Sequence, residues 1–417
     1  MSKIKVEGVH ELSGTITVSG AKNSVVALIP AAILCDETAT ISNVPNITDV
    51  DDLESILIHL NAKINRKKGI IEINSSNIIN KEITENLSKK LRASYYFMGA
   101  LLGKFHKVEM YFPGGCNIGA RPINLHLKGF ELLGANITED NNKFIIEAEN
   151  LKGNNIYLDF PSVGATINIM LAAVKAKGKT IIDNAAAEPE IVNVATFLNN
   201  MGAKIKGAGT STITITGVKY LHSCFNEVIP DRIEAGTYII MAALIGKNLK
   251  VDNIIPNHLE ALIAKLTECG VNMEIGLDNI LIKNSNNYKS TDIKTLVYPG
   301  FPTDLQQVMA TFLTQCKGKS VIEETIYENR FQNIPELEKM GAKVKIRQDN
   351  RKVTIQGKTP LKGCNVTATD LRAGASLLVA ALIAEGTTTI DNISYILRGY
   401  DKIIEKLSKI GAKIEII

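Results

Sequence analysis

One phrase recurs along this chain: NAKINRKKG at Asn61, GANITEDNN at Gly134, GAKIKGAGT at Gly202, GVNMEIGLD at Gly270, GAKVKIRQD at Gly341 and GAKIEII at Gly411. The starting positions lie 73, 68, 68, 71 and 70 residues apart, which marks a structural repeat of about 70 residues. A repeat restricts the fold severely, because every copy must bury its apolar face with the same elements. Each phrase follows an amphipathic segment. In EIVNVATFLNNMG, Ile191, Val194, Leu198 and Met201 share one helical face and Pro189 suits a first turn; in GYDKIIEKLSKIG, Ile403, Ile404, Leu407 and Ile410 do the same. The glycine after each segment fits a left-handed C-cap, and the alternation that follows (Ala-Lys-Ile-Glu-Ile) predicts a strand.

A second helix type also recurs six times: AKNSVVALIPAAILC, LRASYYFMGALLG, VGATINIMLAAVKAKG, RIEAGTYIIMAALIG, PTDLQQVMATFLTQCKG and LRAGASLLVAALIAEG. Apolar on nearly all sides, such helices predict burial. Six units, each with an inner apolar helix, an outer amphipathic helix and short strands, suggest an α/β protein of two lobes with three units each. The expected boundaries are 21–229 for the first lobe, and 1–20 with 230–417 for the second. A length of 417 residues is itself too great for one ordinary core.

The composition excludes several classes of function. A net charge of +4, with no basic run interleaved with aromatics, argues against a nucleic-acid partner. No stretch of 18 apolar residues is present for a membrane span, and MSKIKVEGVHELSG has no apolar signal core, so a cytoplasmic protein is expected. The six cysteines (35, 116, 224, 269, 316 and 364) contain no CxxC pair and the six histidines are dispersed, so free thiols and no metal site are expected.

Arginine is the sharpest clue to chemistry. Only nine of the 47 basic residues are Arg, and six of them (Arg92, Arg121, Arg232, Arg330, Arg372 and Arg398) stand at or near the start of a predicted helix. Helix N-termini carry unpaired N–H groups and positive partial charge, where stability alone favours an acid. Adding a guanidinium fork there suits a phosphate or carboxylate, so a polyanionic ligand is implied. Next, the loop PGGCNIGARPINLH (113–126) holds Cys116 among glycines and close to Arg121, a setting that lowers a thiol pKa and can carry a side chain over a site. Asp304 in FPTDLQQ and Asp370 in ATDLRAG open inner helices, either as N-caps or, for Asp304, as a general base toward a hydroxyl. Asp231 reads as structural. Lys22 and Asn23 open the first inner helix, where Lys22 is either a point charge for phosphate or simply solvated.

These residues fall in GAKNS (20–24), LRAS (91–94), PGGCNIGARPINLH (113–126), SVGAT (162–166), PDRIEAGT (230–237), FPTD (301–304), ENRF (328–331), ATDLRA (368–373) and RGY (398–400). Together, in this order, they resemble the enolpyruvyl transferases that act on UDP-N-acetylglucosamine, over essentially the whole chain. The sister enzymes that make enolpyruvylshikimate phosphate share the fold but lack the cysteine loop. The resemblance implies a two-lobed inside-out α/β barrel of six repeats, no cofactor, and two small-molecule substrates, phosphoenolpyruvate and UDP-N-acetylglucosamine. It implies closure of the lobes once the nucleotide sugar is bound; for the oligomeric state, which the sequence does not give, a monomer is favoured. It puts Lys22, Asn23 and Arg398 on phosphoenolpyruvate, supported by Arg121 and Arg372; Arg330 and Asp370 are further candidates for substrate binding. It puts Arg92, the segment Arg121, Pro122, Ile123, Asn124 and Leu125, the segment Phe160, Pro161, Ser162 and Val163, and Asp304 with Ile326 on the nucleotide sugar. Cys116 takes the place of the thiol that donates a proton, forms an adduct with phosphoenolpyruvate and is alkylated by fosfomycin. The implied reaction is addition–elimination: the sugar 3′-hydroxyl attacks C2 as C3 is protonated, and collapse of the ketal expels phosphate. Phe160 departs from the lysine that many members carry there, which puts one uridine or diphosphate contact in doubt. Two other readings compete: transfer to another acceptor such as shikimate 3-phosphate, and a non-catalytic paralogue that binds a UDP-sugar. Such families include two paralogous forms, and the motifs do not separate them.

Overall fold

Each copy of the repeated phrase becomes the edge strand of a sheet. The computed structural model describes residues 3–114, 122–283 and 287–417. Among these, the six edge strands are Lys63–Lys67, Asn136–Asp140, Lys204–Lys206, Asn272–Ile275, Lys343–Ile346 and Lys413–Ile416. Lysines recur along these edges, a charge pattern that discourages pairing with another chain. The residue that turns each amphipathic helix into its strand has a left-handed backbone, with φ of 68° at Asn61 and 89–105° at the five glycines. A Cβ is strained there, so glycine stands at five of the six turns.

The sheets share one plan. Each edge strand pairs antiparallel with a central strand, which pairs antiparallel with the strand after the inner helix; a parallel strand completes the order. The parallel partners are Cys224–Glu227 on Thr38–Ser42, Asn155–Tyr157 on Lys179–Asp183, and Leu12–Thr17 on Gly246–Asp252. Ile293–Lys294 on Gly318–Glu323 and Asn365–Thr367 on Thr387–Asp391 follow the same rule. In the three-stranded sheet, an isolated parallel bridge between Ile83 and Met110 stands where the others have a parallel strand. In the last repeat the central place is taken by Ile4–Glu7, from the other end of the chain, which lies between Lys413–Ile416 and Thr387–Asp391.

The inner helices are Lys22–Ala31, Tyr96–Phe105, Val163–Ala173, Arg232–Ile245, Thr303–Thr314 and Leu371–Ile383. Their burial follows from their composition: every residue from Gly164 to Ala173 is buried. Close approach demands small residues. A Cβ on Gly99 would lie 2.3 Å from the Asn168 carbonyl oxygen, so Tyr96–Phe105 packs on Val163–Ala173 only because Gly99 has none. The chain divides into two compact units, residues 3–19 with 230–417, and residues 20–114 with 122–229, each with its own apolar core. The chain passes from one to the other at Ser19–Gly20 and Ile229–Pro230.

Candidate active site

In the unit of residues 230–417, the site is built around one carboxylate. Pro302 is already extended (φ −73°, ψ 133°) and serves as the helix boundary, so Asp304 falls in the first turn of Thr303–Thr314. The expectation that Asp304 caps this helix is therefore corrected. Its side chain turns to two arginines: Oδ1 accepts from Arg330 Nη2 at 2.5 Å and Oδ2 from Arg372 Nη2 at 3.0 Å. Both guanidinium groups are buried, whereas the Asp304 side chain is 25% exposed. Burial opposes the charge on Asp304, but Arg372 and Arg330, aided by Arg232, outweigh it and hold the carboxyl well below the usual carboxylate range.

The surrounding residues fix these three. Asp370 is the N-cap of Leu371–Ile383, its Oδ1 accepting from the Arg372 and Ala373 amides at 2.8 and 3.0 Å. Asp231 caps Arg232–Ile245 in the same way, through the Ile233 and Glu234 amides, as the structural reading expected. Gln307 Nε2 donates to the Arg330 carbonyl at 2.5 Å. Arg330 also lies over the Tyr327 ring, 5.5 Å from its centroid, and its buried Nε has no hydrogen-bond partner. A fully buried acid that the sequence reading missed, Glu324, orders the neighbouring loop. It accepts from Thr295 and Thr303 hydroxyls at 2.9 Å and from the Ile326 and Tyr327 amides at 2.8 and 3.2 Å. Arg398 corrects a second expectation. It is the C-cap of the short helix Ser394–Leu397, and the next helix begins only at Ile403, so no helix N-terminus explains it.

In the unit of residues 20–229, Lys22 is not merely solvated. Its Nζ pairs with Asp49 Oδ2 at 2.7 Å, with the lysine side chain 14% and the aspartate 1% exposed. Asn23 follows it in the first turn, and the Ser24 hydroxyl donates to Asn193 Oδ1 at 2.7 Å. The LRAS, PINLH and SVGAT motifs, far apart in the chain, meet at His126, another residue the sequence reading missed. Asn168 Nδ2 donates to His126 Nδ1 at 2.8 Å and to the Tyr95 carbonyl at 3.0 Å. Tyr95 stacks edge-on against His126 with ring centroids 4.9 Å apart, and Arg92 lies 5.8 Å from the Tyr95 centroid. Because Nδ1 accepts, the imidazole is neutral with its proton on Nε2; burial, then the charge of Arg92, push its pKa down to about 3. Ser162 caps Val163–Ala173 by accepting from the Ala165 amide at 3.3 Å, and Phe160 before it is 45% exposed. Pro122, Ile123, Asn124 and Leu125 lead into and begin the helix Asn124–Leu132. Cys116 and Arg121 lie outside the described residues.

Of the other cysteines, Cys35, Cys269 and Cys316 are fully buried. Burial raises the Cys35, Cys224 and Cys364 thiols, the second to about 12, and a hydrogen bond with Cys269 followed by burial raises Cys316. Among the described residues no cluster of metal-ligating side chains occurs, and no helix is long and apolar enough to cross a membrane.

The chain is similar to known proteins over nearly its whole length. The profile of the EPSP synthase (3-phosphoshikimate 1-carboxyvinyltransferase) family matches residues 6–407. A Listeria monocytogenes protein named UDP-N-acetylglucosamine 1-carboxyvinyltransferase 2 is 54% identical over 412 residues, covering 99% of this chain and 97% of its own. A Bacillus subtilis protein of the same name is 51% identical over 415 residues, covering 99% and 96%. Among solved structures, the enolpyruvyl transferase NikO from Streptomyces tendae superposes with a TM-score of 0.90 at 24% identity, over 100% of this chain and 98% of that one. An Acinetobacter baumannii EPSP synthase gives 0.76 at 18%, over 100% of both chains. These two likenesses concern the fold.

Proposed function

The chain belongs to the UDP-N-acetylglucosamine 1-carboxyvinyltransferases, within the wider EPSP synthase family, and from that membership we propose that it moves the enolpyruvyl group of phosphoenolpyruvate to the 3′-hydroxyl of UDP-N-acetylglucosamine, releasing phosphate. This is the first committed step of peptidoglycan synthesis. The observation that carries the reading is the pair of buried guanidinium groups on either side of Asp304. Phosphoenolpyruvate brings a phosphate and a carboxylate, the two groups that guanidinium forks grip in parallel.

In this reading Asp304 accepts the proton of the 3′-hydroxyl as its oxygen attacks C2, and Cys116 delivers a proton to C3. The ketal then loses a C3 proton and breaks its C2–phosphate bond to restore the vinyl group. Held by two arginines, Asp304 is a weak base. A substrate anion that takes over one fork weakens that hold and raises the proton affinity of the carboxylate, so substrate binding itself activates the base. Lys22, Asn23 and Arg398 serve phosphoenolpyruvate, with Arg121 and Arg372 in support and Arg330 and Asp370 beside them. Arg92, residues 121–125, residues 160–163 and Ile326 serve the nucleotide sugar. Asp370 acts mainly through its cap, which sets the backbone of Arg372. The recurring sheet plan supports an architecture of six repeats in two inside-out α/β lobes, 21–229 and 1–20 with 230–417. A cytoplasmic, fosfomycin-sensitive monomer completes the reading.

The test is phosphate release from phosphoenolpyruvate with UDP-N-acetylglucosamine as acceptor, set against shikimate 3-phosphate. Release with the nucleotide sugar alone is expected. Release only with shikimate 3-phosphate, or with neither, overturns the reading.

A further inference from the structure

Arg372 has two ends to satisfy, and only one of them belongs to Asp304. Its Nη1 lies 3.5 Å from the hydroxyl of Tyr400, and its guanidinium carbon lies 5.8 Å from the centroid of the same ring. Tyr400 is 1% exposed and closes the RGY motif. Its hydroxyl also lies 2.9 Å from Thr237 Oγ1, in the helix Arg232–Ile245. Proton counting fixes the direction of that contact. Thr237 has a single hydroxyl proton and spends it on the Ile233 carbonyl at 2.9 Å, because a carbonyl oxygen can only accept. Tyr400 must then donate to Thr237, which leaves the lone pairs of the tyrosine oxygen for the N–H of Arg372. The chain of donation runs one way, from Arg372 to Tyr400 to Thr237 to Ile233.

We propose that Tyr400 is a positioning residue for the reaction: oriented by Thr237, its hydroxyl and ring hold the Arg372 fork in one orientation beside Asp304. The proposal rests on the reading of Arg372 and Asp304 given above. A planar guanidinium cannot turn one nitrogen without turning the other, so a fixed Nη1 aims Nη2 as well. The Nη1 contact is at the outer limit of hydrogen-bond length, so the ring face carries part of the hold.

Four single variants, one of them for assignment only, and one double variant test this on the full chain. Tyr400→Phe keeps the ring and loses the acceptor, so the KM for phosphoenolpyruvate should rise about threefold to tenfold, the worth of one ordinary hydrogen bond, since this contact is a long one. The dissociation constant for UDP-N-acetylglucosamine alone, by calorimetry, should not move. Thr237→Val should reproduce the effect, Thr237→Ser should restore it, and Tyr400→Phe with Thr237→Val should be no worse than either alone, since both break one chain. General loosening would lower Tm and kcat through the active fraction but leave KM in place. Rotation of the Arg372 guanidinium, followed by nitrogen-15 NMR and assigned by its loss in Arg372→Lys, gives a readout without turnover. It should be faster in Tyr400→Phe and Thr237→Val than in the wild type or Thr237→Ser. An unchanged KM, additive losses in the double variant, or rotation indifferent to Tyr400 overturns the proposal. If the wild type releases no phosphate, the functional reading fails while the rotation measurement still decides the positioning role.

Discussion

Replacing Asp304 by Asn should cost stability as well as turnover, and the two losses can be separated. The substitution removes the charge that pairs with both Arg330 and Arg372, whose side chains are 4% and 5% exposed. Removing one partner of a fully buried ion pair costs about 3–5 kcal/mol, because the remaining charge is left uncompensated. Asp304 is itself 25% exposed, so water screens part of the interaction, and Asn keeps one acceptor oxygen. We therefore expect a loss of about 2–3 kcal/mol in denaturant unfolding. Turnover should fall by roughly a hundredfold or more, the worth of a general base. The pH dependence has a definite sign. The folded-state pKa of Asp304 is depressed, so its contribution is fully present above the unfolded value of about 3.9 and is lost as pH falls below it. The stability gap between wild type and variant should be constant from neutral pH down to about 5 and narrow below about 4. Inorganic phosphate should recover part of the loss by binding the two freed guanidinium groups in the folded state alone. A variant with wild-type stability, or a gap that widens in acid, would refute the account of Asp304 as a doubly paired carboxylate.

Arg398→Lys keeps the charge but loses the fork, so phosphoenolpyruvate use should weaken by about 1–3 kcal/mol in kcat/KM while binding of UDP-N-acetylglucosamine alone is unchanged. Fosfomycin should label Cys116 ahead of the other five cysteines and faster with the nucleotide sugar present, as peptide mapping would record; Cys116→Asp should stay active without labelling. His126 is buried in the neutral form, so its depressed pKa makes the fold lose stability as pH falls from about 6.5 toward 3, at up to roughly 1.4 kcal/mol per pH unit. His126→Gln should flatten that part of the stability profile, and an unchanged slope would remove His126 as its source.

Much of this was legible in the sequence, for reasons that differ by element. The turn glycines announce their strands because a left-handed backbone is a local demand that side chains rarely meet, and Asn61 is a substitute that tolerates it. The inner helices were legible because burial on all sides leaves no polar face. What local pattern cannot carry is partnership: Asp304 meets Arg330 and Arg372 across 26 and 68 residues of chain. It also cannot place a helix start reliably. Pro302 could extend and release Asp304 from capping, and the short Ser394–Leu397 helix, ending at Arg398, has no counterpart in the amphipathic pattern. Asn168 was a missed signal, since an amide inside an otherwise apolar helix needs partners, and its partners led to His126. Glu324 gave no signal, because an acid beside other acids in VIEETIYENR looks solvated.

The scarcity of arginine pointed to the site, yet scarcity alone is an imperfect guide. Arg66 pairs with Asp51 and Glu54, and Arg351 with Glu328, with arginine side chains 23% and 36% exposed; neither belongs to a motif that carries the family resemblance. What separates Arg330 and Arg372 from them is desolvation. A buried guanidinium is costly unless its N–H groups find acceptors, and two of them offer more donors than the lone pairs of one carboxylate can satisfy. Arg330 Nε is left with no partner, and Arg372 turns its Nη1 to a tyrosine hydroxyl at the limit of hydrogen bonding. Stability would favour removing one arginine or adding a second acid, as Asp51 and Glu54 serve Arg66. Keeping both arginines against a single acid makes sense when a ligand supplies the missing acceptors, and a substrate with a phosphate and a carboxylate supplies them while loosening the hold on Asp304.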